Sequence, residues 1–207
     1  KSYLCIGLDT DINKIPKSLL DFDDPVFEFN KRIIDSTNDL VVAYKPNLAF
    51  YESLGTKGID SLLKTVDYIP ENILKIADAK RGDIGNTSNM YAKSFFETFK
   101  FDAVTLSPYM GKDSSIPYLK YKDKWIILLA LTSNKSSIDI QHFKNSNQKN
   151  LFEHVIEDSL DWSSQENTMY VVGANRASEL KKIRDIIPNS FILIPGVGTQ
   201  GGKLKDI

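Results

Sequence analysis

The sequence predicts a parallel α/β protein of the (β/α)8 TIM barrel class, with an eighth strand missing from the chain. Two observations carry this reading. Seven apolar, β-branched runs recur along the 207 residues, and amphipathic helical patterns separate them. The runs are continuous rather than alternating, the pattern of strands buried on both faces of a sheet.

In chain order the strand candidates are Tyr3–Asp9, Val41–Asn47, Ile73–Lys80, Ala103–Pro108, Trp125–Thr132, Met169–Ala174 and Phe191–Val197. Pro25 suits the first turn of a helix after the first strand. Ile59, Leu62, Leu63, Val66 and Ile69 repeat at helical spacing, and Pro70 stops that pattern. Tyr91, Phe95 and Phe99 share one helical face and predict packing of a helix on the barrel. Ser133–Asn150 is polar and predicts one long loop, of the kind that often carries function. Phe152, Val155, Ile156 and Leu160 mark another helix, as do Ala177, Leu180, Ile183 and Ile187 before Pro188. No linker, repeat or low-complexity block divides the chain. A complete barrel needs about 250 residues. A single barrel domain, 1–207, incomplete at its C-terminus, is therefore expected.

Composition narrows the chemistry. Lys+Arg 26 against Asp+Glu 27 leaves no basic field for general nucleic-acid or membrane-surface binding. The longest apolar run, Trp125–Leu131, is too short to span a bilayer, and no basic start followed by an apolar stretch predicts a secretory signal. Cys5 is a lone cysteine, which excludes a disulfide framework and a multi-cysteine metal cluster. His142 and His154 are the only histidines, which disfavours a His-rich metal site or a Ser/His hydrolase. His154 reads as a surface or packing residue, His142 as part of the polar loop, and Cys5 as core filling. The expectation is a cytoplasmic protein whose chemistry rests on Asp, Lys, Ser and backbone.

Active sites of such barrels lie at the C-terminal ends of the strands, and those ends are polar here. The first run closes on Asp9, the second on Lys45 and Asn47, and the third on Asp78 and Lys80 with Asp83 beyond. The fifth closes on Thr132 and Ser133. Strand periodicity puts Ile76, Asp78 and Lys80 on one face, and Lys45 with Asn47 on one face of the neighbour. Lys45, Asp78 and Lys80 are thus expected to converge. The motif D-x-K-x-x-D is weak alone, since a salt-bridged surface strand end could produce it. Lys45 on the adjacent strand strengthens it. An ammonium held among carboxylates can protonate a carbanion, while a fixed carboxylate can crowd an anionic substrate group.

Gly196-Val197-Gly198-Thr199-Gln200-Gly201 formally satisfies G-x-G-x-x-G. A dinucleotide fingerprint belongs early in a chain, with an acidic residue about 20 positions on. Here the motif follows the last strand. A phosphate loop built from Pro195, Gly196, Gly198 and Gln200 fits better, with a plain tight turn as the alternative.

Together these residues resemble the orotidine 5′-phosphate decarboxylase family, particularly its longer, type 2 branch. The matching blocks are Cys5–Asp9, Tyr44–Asn47, Asp78–Thr87, Leu131–Asn134, Val171–Asn175 and Pro195–Gln200, in family order. The resemblance implies a cofactor-free, metal-free carboxy-lyase that converts orotidine 5′-phosphate to UMP in pyrimidine biosynthesis. It further implies that Lys80 donates the proton to carbon 6 of the pyrimidine, that Asp78 lies against the departing carboxylate, and that Lys45 organises the charges. Asp9 and Asn47 would meet the sugar, Ser133 and Thr132 the pyrimidine edge, and Gln200 with its neighbouring backbone the phosphate. Asp83 and Thr87 would reach into the partner's site of a homodimer. The family's phosphate-gripping arginine follows an eighth strand and has no counterpart here. Arg176 and Arg184, placed on the helix after the sixth strand, are not assigned to that role. Two alternatives stand: a related sugar-phosphate barrel using magnesium, and a non-catalytic phosphate-ligand-binding barrel.

Overall fold

A computed structural model describes residues 2–198 and 202–206. Seven strands are present among them: β1 (Cys5–Leu8), β2 (Ala43–Pro46), β3 (Leu74–Arg81), β4 (Ala103–Leu106), β5 (Trp125–Leu131), β6 (Thr168–Val172) and β7 (Ile192–Leu193). Their order in the sheet is their order in the chain. The pairs β1–β2, β2–β3, β5–β6 and β6–β7 are parallel. All seven predicted runs are strands, each with ends trimmed or shifted by a few residues.

The helices are α1 (Pro25–Thr37), α2 (Leu48–Glu52), α3 (Gly55–Tyr68), α4 (Gly85–Lys93), α5 (Ile116–Leu119), α6 (Ser137–Ile140), α7 (Leu151–Leu160) and α8 (Ala177–Ile186). Pro25 is the first helical residue of α1, as its fixed φ favours. A wider π-turn, Ser94–Thr98, prolongs α4. It puts the Phe95 ring 6.3 Å from Phe99 and 6.4 Å from Phe101, and buries Phe95.

The chain forms two compact units, residues 1–79 with 90–104, and residues 80–89 with 105–207. In the first unit Leu8, Ile34, Tyr44, Ile69 and Ile73 form one core cluster, flanked by Ile6, Ile33 and Val41. Burying an aliphatic side chain is worth roughly 1.5–3 kcal/mol, so this cluster seats α1 and the start of β3 against β1 and β2. Asp24 caps α1 by accepting from the Phe27 N–H at 3.0 Å. It also accepts from Ser61 Oγ at 2.7 Å and Lys64 Nζ at 2.9 Å, which ties α1 to α3.

In the second unit β6 is buried at every position and β5 at five of seven, as strands covered on both faces must be. The polar stretch Ser133–Asn150 is more ordered than a single loop. It contains α6 and closes on itself through a bridge between Lys144 and Asn150. Asn150 then opens α7 in a reciprocal cap with Glu153, the Asn150 N–H donating to Glu153 Oε2 at 3.1 Å. Asn150, which reads as loop composition, is here a helix cap, a role that polarity alone does not distinguish.

Candidate active site

The first unit supplies one cluster of charges. Lys45, one residue from the end of β2, donates from Nζ to Asp78 Oδ2 on β3 at 2.7 Å. Both side chains are nearly buried, 13% and 11% exposed. Asn47 bridges Asp78 backbone to backbone just past the paired part of the strands. Its Nδ2 donates to Asp9 Oδ2 at 2.9 Å, while its Oδ1 accepts from the Ala49 N–H and caps α2. A side-chain carbon at Gly7 would stand 3.1 Å from Asp9 Oδ1 and 3.9 Å from Lys45 Nζ. Asp9, Lys45, Asn47 and Asp78 therefore come together in this unit. Cys5 is half-buried on the same strand as Gly7. Burial pushes its thiol up to about 11; Lys45 pulls the other way, and Asp78 adds to the rise.

The second unit carries the remaining candidates. Lys80 is exposed and has φ +50, a left-handed conformation rare for lysine. Its N–H donates to Thr105 Oγ1 at 2.9 Å. Lys80 is the seventh of the eight residues of β3 and combines its strand position with this positive φ. Asp83 is half-buried and its Oδ1 accepts from the Ile84 N–H at 2.8 Å. Thr87 is exposed on α4.

Thr132 and Ser133 follow β5 in a clamped loop. Gln141 grips Thr132 at both ends, accepting from its N–H and donating to its Oγ1, each at 2.8 Å. The Arg176 guanidinium donates to the carbonyls of Thr132 and Asn134, both at 3.3 Å, and to Ser137 Oγ at 2.6 Å. Asn175 Nδ2 donates to the Ser133 carbonyl at 2.8 Å. Gly173 lies so close that a Cβ there would sit 2.8 Å from the Ser133 backbone. Gln141, Asn175 and Arg176 escaped sequence reasoning as site residues. The only available signal was that Asn175 lies inside a family-like block.

Beyond β7, the Pro195 carbonyl accepts from the Ala174 N–H at 2.9 Å. Gly196 and Gly198 have φ +92 and +87, values open to glycine. The loop closes where the Gly198 N–H donates to the Gly202 carbonyl at 2.8 Å. Such a turn can present backbone N–H groups to an anion. Gln200 lies outside the described residues. Arg184 closes the end of α8, donating to the carbonyls of Ile187 at 2.9 Å and Ser190 at 2.7 Å. Arg176 sits in a short 3₁₀ turn just before α8 rather than on it. His154 is exposed, and His142 packs its ring 5.6 Å from Phe152. No helix of the described residues is long and apolar enough to cross a membrane.

Parallel strands in chain order with lysine and aspartate at their C-terminal ends define a TIM-barrel enzyme. The solved structure of Leishmania donovani OMP decarboxylase matches with a TM-score of 0.86 and 37% identity, over 95% of this chain and 75% of that one. Leishmania donovani UMP synthase matches with a TM-score of 0.90 and 39% identity; the match covers 99% of this chain and 44% of that one. The orotidine 5′-phosphate decarboxylase of Bacteroides fragilis is 57% identical across 100% of this chain and 77% of its own length. The model of the orotidine 5′-phosphate decarboxylase / HUMPS family matches residues 2–207, and the chain belongs to that family.

Proposed function

We propose that this protein decarboxylates orotidine 5′-phosphate to UMP in pyrimidine biosynthesis, without metal or cofactor, as a cytoplasmic homodimer. The observation that carries the reading is the nearly buried ion pair between Lys45, near the end of β2, and Asp78 on β3, with Lys80 two residues further along β3.

The bond from carbon 6 to the carboxylate breaks, carbon dioxide leaves, and the electron pair stays on carbon 6. The Lys80 ammonium gives that carbon its proton and becomes a neutral amine. Asp78, held in place by Lys45, faces the departing carboxylate. An oriented donor of this kind contributes roughly 10²–10⁴-fold. Asp9 and Asn47, already hydrogen-bonded to each other, hold the ribose. Thr132 and Ser133 meet the pyrimidine edge. Pro195, Gly196, Gly198 and Gln200 bind the phosphate, in a turn whose glycines adopt positive φ. Asp83 and Thr87 complete the partner's site.

The test is the absorbance change on mixing the protein with orotidine 5′-phosphate in excess chelator. Turnover that survives the chelator is the expected result. Strict dependence on magnesium would transfer the chain to the sugar-phosphate alternative, and nucleotide binding without turnover to the non-catalytic one.

A further inference from the structure

We propose that Tyr51 and Asn30 are positioning residues for Asp9, acting through a buried polar network; the proposal rests on the reading that Asp9 meets the ribose. Asp9 is the exposed residue between two buried neighbours, Leu8 and Thr10. Both neighbours are held from behind by the same network. The Tyr51 hydroxyl donates to the Leu8 carbonyl at 3.1 Å. Thr10 Oγ1 donates to Asn30 Oδ1 at 2.5 Å. Asn30 Nδ2 closes the ring by donating to Tyr51 Oη at 2.9 Å and to Thr65 Oγ1 at 3.0 Å. Thr65 Oγ1 in turn donates to the Ser61 carbonyl at 2.7 Å.

Asn30, Tyr51 and Thr65 are all 0% exposed. An apolar core would cover α1 and α3 without the desolvation of these groups. A fully satisfied buried network fixes one geometry where packing alone tolerates several. What this one fixes is the backbone on either side of a single carboxylate. The second grip on Asp9 comes from the same short helix. Asn47, which caps α2, donates to the Asp9 carboxylate, and Tyr51 lies one turn further along α2. Helix α2 is thus fastened to the end of β1 twice, once at the Asp9 side chain and once at the backbone before it. Burial pushes the Tyr51 phenol well above its ordinary value, so it donates throughout the working range.

The experiment is a double-mutant cycle of Tyr51→Phe and Asp9→Ala in the intact protein. It reads kcat/KM for orotidine 5′-phosphate and, in parallel, UMP affinity, with thermal midpoints recorded. Loss of one aligned hydrogen bond corresponds to roughly a five- to twelvefold loss. Tyr51→Phe should lose that factor, expressed in KM and UMP affinity with kcat nearly unchanged. In the Asp9→Ala background the same substitution should change neither by as much as twofold. Equal factors in both backgrounds, or no loss with Asp9 present, would overturn the proposal, because a purely structural role multiplies independently of Asp9. Should Tyr51→Phe fail to fold, Thr10→Val and Thr10→Ser decide. The valine should reproduce the KM defect and the serine, which keeps the hydroxyl, should restore it; equal defects overturn the proposal. Absence of turnover in the unaltered protein would fail the functional reading instead, and the UMP cycle then decides the coupling of Tyr51 to Asp9 by itself. A protein that binds no UMP overturns both.

Discussion

The Lys45 ammonium and the Asp78 carboxylate meet at 2.7 Å, each with little more than a tenth of its side chain exposed. A pair so enclosed is costly to form and costlier to break, since losing one partner strands the other charge in a poorly solvated place.

Lys45→Met should therefore destabilise the fold by about 3 kcal/mol, the low end of the range for a buried pair because some solvent remains. Adding Asp78→Asn should recover most of that stability, as the stranded charge is gone. Neither variant should turn over substrate. Denaturant midpoints and turnover measured together separate the two effects. Recovery of activity in the double variant would deny the pair its chemical role.

Lys80→Ala should lose turnover by roughly 10²–10⁴-fold and still bind UMP, because the phosphate loop is untouched. The backbone supplies a second readout. At φ +50, alanine pays the left-handed penalty and glycine does not. Lys80→Gly should be about 1 kcal/mol more stable than Lys80→Ala and equally inactive. Equal stabilities would mean that the left-handed turn at Lys80 relaxes once its side chain is removed.

Arg176→Ala should release the loop after β5, because one guanidinium joins two carbonyls and a hydroxyl there. The expected cost is about 1–2 kcal/mol of stability and about tenfold in kcat/KM, one hydrogen bond's worth of alignment. Arg176→Lys should not rescue either quantity, since an ammonium cannot reproduce the planar fork. Full activity in the lysine variant would show that charge, not geometry, is what the loop needs.

Asp24 makes the first unit sensitive to acid. Burial alone would raise its carboxyl, but hydrogen bonds from Lys64, the Phe27 N–H and Ser61 outweigh burial and hold it below the ordinary 3.8. A depressed folded value means stability that is present above pH 4 and lost as pH falls through that depressed value. Asp24→Ala should cost about 1–2 kcal/mol at neutral pH, a helix cap's usual worth. Its denaturation midpoint should also converge with that of the unaltered protein as the pH drops below 4. Parallel curves down to pH 2 would remove Asp24 from the acid response.

The strands and the charged strand ends were legible in the sequence for the same reason. Residues buried on both faces leave continuous apolar runs, and an Asp or Lys closing such a run stands out against them. Asp9, Lys45, Asn47 and Asp78 could be placed by that contrast. Tyr51 and Asn30 could not. Their partners lie 43 residues away at Leu8 and 20 at Thr10, separations at which no periodicity operates. Arg176 is 44 residues from the Thr132 carbonyl it holds. The positive φ of Lys80, inside β3, is likewise a local backbone feature that no hydrophobic pattern announces.

The last prediction concerns which chain supplies Asp83. β3 ends at Arg81, and Asp83 lies two residues beyond it, after Gly82. In the proposed homodimer Asp83 serves the partner's site, while Lys80 serves its own. Lys80→Ala and Asp83→Ala proteins, each inactive alone, should then regain activity when mixed under conditions that exchange subunits. In a mixed dimer one site has an intact Lys80 and receives an intact Asp83 from the other chain; its second site lacks both. Random pairing makes about half the dimers mixed, each with one working site of two, so roughly a quarter of the unaltered activity should return. If Asp83 serves its own chain, every site in every dimer lacks one residue and nothing returns. Subunit exchange followed by an independent label, with no regained turnover, would therefore assign Asp83 to its own barrel and leave the partner's site complete without it.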